Sequence, residues 1–254
     1  MFKLCVYLLL ATLPLLAYGE DAAPVLDAPE NAYWHSVSAS WVVSNLGVGL
    51  SLANDGVGWV ARFDSSGAVF APRWVDGFDA PTGMTAFGGS LFVVDRGRVH
   101  EVEISTGRKV REIDLPESEF ANDATSTPQG DVFVSDTATN RIYKISDGVA
   151  EVWLESKDLQ SPNGLWVTGG TLVVAAWGPM TDIATFATQH PGTLLQVALT
   201  TKAIDAVGAG KPIANFDGVV SVEDAYYATA WTGGRCSRIS ASGTVTVVLS
   251  CFEQ

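Results

Sequence analysis

One unit recurs five times along this chain of 254 residues. In its clearest copy, Ser161-Pro162-Asn163-Gly164 makes a turn carrying one polar side chain, and Leu165-Trp166-Val167 leaves it as an apolar strand. Gly169-Gly170 reverses the chain, and Leu172-Val173-Val174-Ala175-Ala176 returns to end at Trp177. The same order opens at Pro29-Glu30-Asn31, Pro81-Thr82-Gly83, Ala121-Asn122-Asp123 and Phe216-Asp217-Gly218. The polar key residues Glu30, Thr82, Asn122, Asn163 and Asp217 stand 52, 40, 41 and 54 residues apart. Short β-type runs repeating every 40 to 50 residues or so are the sequence form of propeller blades of four strands. The third copy shows the remaining two strands, Arg141 to Ile145 and Ala150 to Trp153, around a turn at Gly148. An all-β propeller is expected, with five four-stranded repeats starting near residues 29, 81, 121, 162 and 216.

Residues 1–19 read differently. A short basic lead, an apolar run from Leu4 to Ala17 and small residues at Ala17-Tyr18-Gly19 have the form of a cleavable secretory signal. The run is shorter than the roughly 20 residues a membrane span needs. This predicts a secreted or periplasmic protein without stable membrane insertion after cleavage, its propeller domain covering residues 20–254. A formal net charge of −13, with the acids scattered, argues against a nucleic-acid partner. The 47% hydrophobic content is enough for one sizeable core. Cys236 and Cys251 fall on the last hairpin, whose expected register sets Cys236 opposite Val247 or Val248. Cys251 then lies about three residues further on, too far at ~3.3 Å per residue for a disulfide without rearrangement.

Both long intervals have their excess between the second and third strands of the unit, at Asn45 to Gly58 and Gly178 to Gly192. Antiparallel alternation returns the chain there to the face that carries the key residues. The two insertions are therefore expected to wall a pocket over them, long loops on one rigid face being common binding elements; the alternative is that they are tolerated surface insertions.

The first strand of each propeller blade lines the central channel, so the key residues converge at one mouth. Two carboxylates and two amides offer only hard oxygen ligands, which suits calcium, magnesium or manganese and is poor for copper or a structural zinc. Taken singly, each residue could serve only as a turn former, but four polar side chains at equivalent repeat positions point to a shared site.

Pro29-Glu30, Phe120-Ala121-Asn122-Asp123, Ser161-Pro162-Asn163-Gly164-Leu165 and Phe216-Asp217-Gly218 resemble the signature turns of the gluconolactonase and senescence-marker-protein (regucalcin-like) superfamily over nearly the whole mature chain. That resemblance implies a six-bladed propeller and one divalent cation, calcium first and manganese or zinc as alternatives, held by Glu30, Asn163 and Asp217. It implies that Asn122 contacts substrate or a metal-bound water, and that lactone hydrolysis proceeds with the metal polarising the carbonyl and activating water and Asp217 as base. Sugar-acid lactonases of this type carry an arginine where this chain has Phe120. With Trp177, Trp231 and Phe186 near the mouth, this suggests a small, less polar lactone or ester. The reading from another class is a non-catalytic propeller that binds a small ligand or a protein, its cation only structural.

Other candidates are assigned structural roles: His35 as a satisfied strand histidine, His190 as a solvated loop residue, Asp95 and Asp136 as caps on the turns between blades. Five copies against six implied blades predict an open wedge between the last blade and the first, exposing flanks around Val37 to Val43 and Val245 to Leu249; a tighter five-bladed ring is the alternative.

Overall fold

A computed structural model of the chain describes residues 25–47 and 53–250. The leader at residues 1–19, Cys251 and part of the first insertion lie outside them. Five antiparallel meanders follow in chain order. Blade 1 comprises β1 (Pro29–His35), β2 (Ser40–Asn45), β3 (Gly58–Asp64) and β4 (Val69–Phe78). Blade 2 comprises β5 (Pro81–Phe87), β6 (Ser90–Asp95), β7 (Arg98–Glu103) and β8 (Arg108–Asp114). Blade 3 comprises β9 (Ala121–Ser126), β10 (Val132–Asp136), β11 (Arg141–Ser146) and β12 (Val149–Glu155). In blade 4, β13 (Pro162–Thr168) and β14 (Thr171–Ala176) are followed by a separate hairpin, β15 (Met180–Asp182) and β16 (Ala187–Thr188), before β17 (Leu194–Ala198) and β18 (Ile204–Ala206). Blade 5 comprises β19 (Phe216–Val222), β20 (Ala225–Ala230), β21 (Arg235–Ser240) and β22 (Val245–Ser250). The inner strands open at the five turns read in the sequence.

Both faces of an inner blade are buried, which explains the near-continuous apolar runs of the second strands. On β10, Val132 and Val134 pack back against Val94 and Val99 of blade 2, while Phe133 packs forward on Leu165 and Val174 of blade 4. The two-residue period of a strand sends neighbours to opposite faces. Val60 and Phe78 with Met84 and Val93 fill the first junction, and Val173 and Leu194 with Phe216 and Ala228 the fourth.

Every inner strand carries a β-bulge at its key residue. In blade 3, Ala121 pairs with Asp136 and Ala124 with Val134, so Asn122 and Asp123 together oppose Ser135. The same two-against-one break falls at Glu30-Asn31, Thr82-Gly83, Asn163-Gly164 and Asp217-Gly218. A bulge bends the strand and re-aims its side chains, which is what turns the key residues toward the mouth. Side-chain hydroxyls on the second strands brace the bulges of blades 1, 3 and 5. Ser135 Oγ takes the Asp123 N–H at 3.0 Å and donates to the Asn163 carbonyl at 2.7 Å, joining blade 3 to blade 4. Ser44 does the same in blade 1, taking the Asn31 N–H at 3.0 Å and donating to the Thr82 carbonyl at 2.8 Å. Glycine follows the key residue where inner strands approach closely: a Cβ on Gly83 would collide with Asp123, and one on Gly164 with the backbone of Asp217 and Gly218.

The last blade meets the first differently. Blade 1's far face is a cluster of Ala32, Val43, Trp59, Ala61 and Phe63 packed by Val25 and Leu26, with no blade 5 member among the described residues. Thr229, equivalent in position to Ser44 and Ser135, bonds among the described residues to Gly218 of its own blade and to no neighbouring blade. The described residues thus give four packed blade junctions and no fifth of the same kind. The exposed flanks expected there are found at Val245, Val247 and Val248 and at Val37, but Val42 and Val43 are buried. Val42 faces blade 2, and Val43 belongs to the far-face cluster. The last hairpin is also shifted: a bulge between Cys236 and Ser237 sets Cys236 opposite Leu249 rather than Val247 or Val248, and the question of its pairing with Cys251 lies outside the described residues.

Candidate functional site

The bulges bring the five key residues to one place. Glu30, Thr82, Asn122, Asn163 and Asp217 line a single cavity of about 200 Å³, joined on its polar side by Thr137. Thr82, Asn122 and Asn163 are buried, and Asp217 is half-buried. The Thr82 hydroxyl has no hydrogen-bond partner among the described residues.

The apolar wall has its own repeat logic. Leu46, Thr137, Trp177 and Trp231 each follow the last residue of a second strand, and all four line the cavity. Their backbone N–H groups donate to the carbonyls of Ala28, Phe120, Ser161 and Asn215, each two residues before a key residue. One backbone bond therefore fixes each rim side chain relative to the key side chain of its blade. Trp177 and Trp231, expected near the mouth, are both there. Phe120 closes the side next to Asn122, its N–H held by the Asp136 carboxylate.

Phe186 completes the wall from the β15–β16 hairpin, so the second insertion overhangs the site as expected. Its ring lies 5.7 Å from Phe120 and 5.9 Å from Trp177, centroid to centroid, in tilted and edge-on geometry. Trp177 Nε1 donates to the Phe186 carbonyl at 3.1 Å. Asn215, two residues ahead of Asp217, donates through Nδ2 to the Trp177 carbonyl at 2.7 Å and to Thr188 Oγ1 at 3.3 Å, tying the hairpin to blade 5. Of the first insertion, Leu46 reaches the cavity.

A residue not singled out in the sequence carries much of the electrostatics. Asp123 is 5% exposed, and its Oδ2 accepts the Leu165 N–H at 2.8 Å. The Asp217 carboxyl has its pKa pushed up to about 7, first by burial, then by the charge on Asp123, with a hydrogen bond from Asn163 acting the other way. The signal for Asp123 was present: it is the second bulge residue, where the copies at Thr82, Asn163 and Asp217 have glycine.

The donor set fits a hard divalent cation. Carboxylate oxygens of Glu30 and Asp217 and amide oxygens of Asn122 and Asn163 are what calcium, magnesium or manganese take. Among the described residues there is no group of three or more His, Cys, Asp and Glu side chains suited to a metal, so a cation here would rest on two carboxylates and the amide oxygens, and none of the described residues lining the cavity is the His or Cys that zinc favours. A cation would also offset the charge on Asp217 that burial and Asp123 disfavour.

The remaining candidates lie elsewhere. His35 Nδ1 is 2.6 Å from Ser38 Oγ at the end of β1, and His190 Nδ1 is 2.8 Å from the Pro191 carbonyl; neither lines the cavity. Asp95 and Asp136 are the expected caps. Asp136 accepts the N–H groups of Glu119 at 2.9 Å, Ala138 at 3.1 Å and Thr139 at 3.0 Å, and Asp95 those of Asp79 at 3.1 Å and Ala80 at 2.7 Å.

No family model and no curated protein sequence matches the chain. Among solved structures it is similar to a chain of a nidogen/laminin complex (TM-score 0.66, 13% identity, covering 83% of this chain and 75% of that one). It is similar to a gluconolactonase from Xanthomonas campestris (TM-score 0.65, 14% identity, 89% and 76% covered). It is also similar to virginiamycin B lyase from Staphylococcus aureus (TM-score 0.57, 14% identity, 89% and 85% covered). The chain thus shares the propeller fold of the gluconolactonase-type structures.

Proposed function

We propose that this chain is a secreted, metal-dependent hydrolase of the lactonase or esterase type, acting on a small lactone or ester at the propeller mouth. The observation that carries this reading is the convergence of Glu30, Asn122, Asn163 and Asp217, from four different blades, on one cavity with an aromatic wall. Glu30, Asn163 and Asp217 would hold one divalent cation, calcium in the first instance. When bound, such a cation supplies Lewis acidity toward a carbonyl oxygen. The chain's own groups do the rest: Asn122 orients the carbonyl, the Asp217 carboxylate takes the proton of the attacking water, and the walls exclude bulk water.

The gluconolactonase similarity supports the lactone side of this reading at the level of fold only. A histidine-to-alanine form of the virginiamycin B lyase is catalytically inactive, whereas among the described residues no histidine lines the cavity here, which favours hydrolysis over a reaction of that lyase's kind. The test is a panel of lactones and esters assayed with calcium, manganese or zinc. Turnover that is lost on chelation and in Asp217→Asn supports the reading; a bound metal with no turnover on any substrate assigns the chain to the ligand-binding propellers instead.

A further inference from the structure

The cavity is more selective than its fold requires. Its walls are Phe120, Trp177, Phe186 and Trp231, supplied by three blades and one hairpin, and no Lys, Arg or His lines it among the described residues. Away from the side of Glu30, Asn163 and Asp217, such a lining gives a carboxylate or phosphate substituent nothing to pair with. A polyhydroxylated ring would bring hydroxyls against side chains that offer them few partners, since Trp177 Nε1 is already engaged by the Phe186 carbonyl. Desolvating hydroxyls without partners is unfavourable. Phe186 instead meets Phe120 in tilted and Trp177 in edge-on geometry, so the three rings adjoin as one aromatic wall suited to a flat ring.

Size and polarity add two further limits. At about 200 Å³ the cavity is somewhat larger than an engineered cavity of about 150 Å³ that takes up benzene, leaving room for one aromatic ring with a small polar group. Thr82, 3% exposed, lines the cavity with the polar residues and has a buried hydroxyl without a partner among the described residues. A buried hydroxyl in that state is suited to bond a ligand oxygen.

We infer that the ligand is a neutral aryl lactone or aryl ester of one or two rings, its aromatic part packed against Phe186, Trp177 and Phe120 and its ester group on the side of Thr82. This deepens the hydrolase reading and rests on it for the ester bond, whereas the aromatic subsite rests on the wall alone. Phe186 sets the preference, because it is 37% exposed and is carried on a hairpin outside the blade sheet. Thr82 is a positioning residue for the carbonyl end.

Two pairs of compounds test this, both measured on the calcium-loaded full chain. Hydrolysis is compared for dihydrocoumarin and δ-valerolactone, which share a six-membered lactone and differ by a fused benzene ring. Binding is measured by calorimetry for the corresponding hydrolysis-resistant lactams, 3,4-dihydro-2-quinolinone and δ-valerolactam. The aryl lactam is expected to bind at least about tenfold more tightly, and Phe186→Ala to erase most of that ratio, while Phe186→Leu erases less. Thr82→Val is expected to weaken both lactams by a similar factor, with Thr82→Ser restoring them. Equal affinity of the two lactams, or a ratio unchanged in Phe186→Ala, overturns the aromatic subsite even if both lactones are hydrolysed. An aryl preference in binding with no turnover of either lactone leaves the subsite standing and removes the hydrolase reading.

Discussion

The Asp123 carboxylate of blade 3 accepts the backbone N–H of Leu165 in blade 4 at 2.8 Å. Leu165 follows Asn163-Gly164, so this bond anchors a buried negative charge beside the proposed cation ligands, and that charge raises the pKa of Asp217. Asp123→Asn keeps an acceptor for Leu165 and removes the charge. In chelator-treated protein the Asp217 pKa is therefore expected to fall from about 7 toward its ordinary value. A carboxyl-carbon NMR titration reads this directly, and an unchanged midpoint would show that burial alone sets it.

The same shift has a consequence for stability. Asp217 has a folded-state pKa of about 7 against an ordinary 3.8, so between those values the folded protein binds more protons than the unfolded chain. Its contribution is complete below the unfolded value and is lost as pH rises through about 7. Metal-free protein is expected to show a falling melting temperature across this window, and Asp217→Asn a flatter profile. Saturating calcium should flatten it too, because a bound cation favours the ionised carboxylate. A metal-free profile identical to that of the Asn variant would contradict the burial of this charge.

Blade junctions depend on the caps. Asp136 is fully buried and holds the N–H groups of Glu119, Ala138 and Thr139 together with the Ser118 hydroxyl, at 2.7 Å. Asp136→Ala leaves several donors without a partner and is expected to destabilise the protein by about 3 kcal/mol. Denaturant unfolding measures it, and a loss under about 1 kcal/mol would mean that water replaces the carboxylate.

Much of this arrangement was legible in the sequence because a tandem repeat places equivalent residues at equivalent points of the fold. Glu30, Asn122, Asn163 and Asp217 could be brought to one mouth from spacing alone, and Trp177 and Trp231 fell at the ends of second strands. Asp123 was missed because strict strand alternation sends it away from Asn122, whereas the bulge sets both against Ser135. The register of the last hairpin failed for the same reason, at Cys236. The burial of Val42 and Val43 was hidden differently, one depending on blade 2 and the other on the segment Val25–Leu26. A bulge adds one residue without a composition signal unless glycine marks it.

If turnover is found, the roles of two floor residues separate cleanly. Asp217→Asn removes both the base and a ligand charge and is expected to lower kcat by about a hundredfold or more. Asn122→Ala removes one hydrogen bond and is expected to lower kcat/KM by about tenfold. Comparable losses in steady-state kinetics would reverse the assignment.

The central claim is that Glu30, Asn163 and Asp217 hold one divalent cation. Isothermal titration of calcium into chelator-treated protein near pH 8 measures this, with Asp217→Ala alongside. The account predicts one site in the parent chain and none in the variant, with circular dichroism unchanged between the two. Equal binding by both would contradict it.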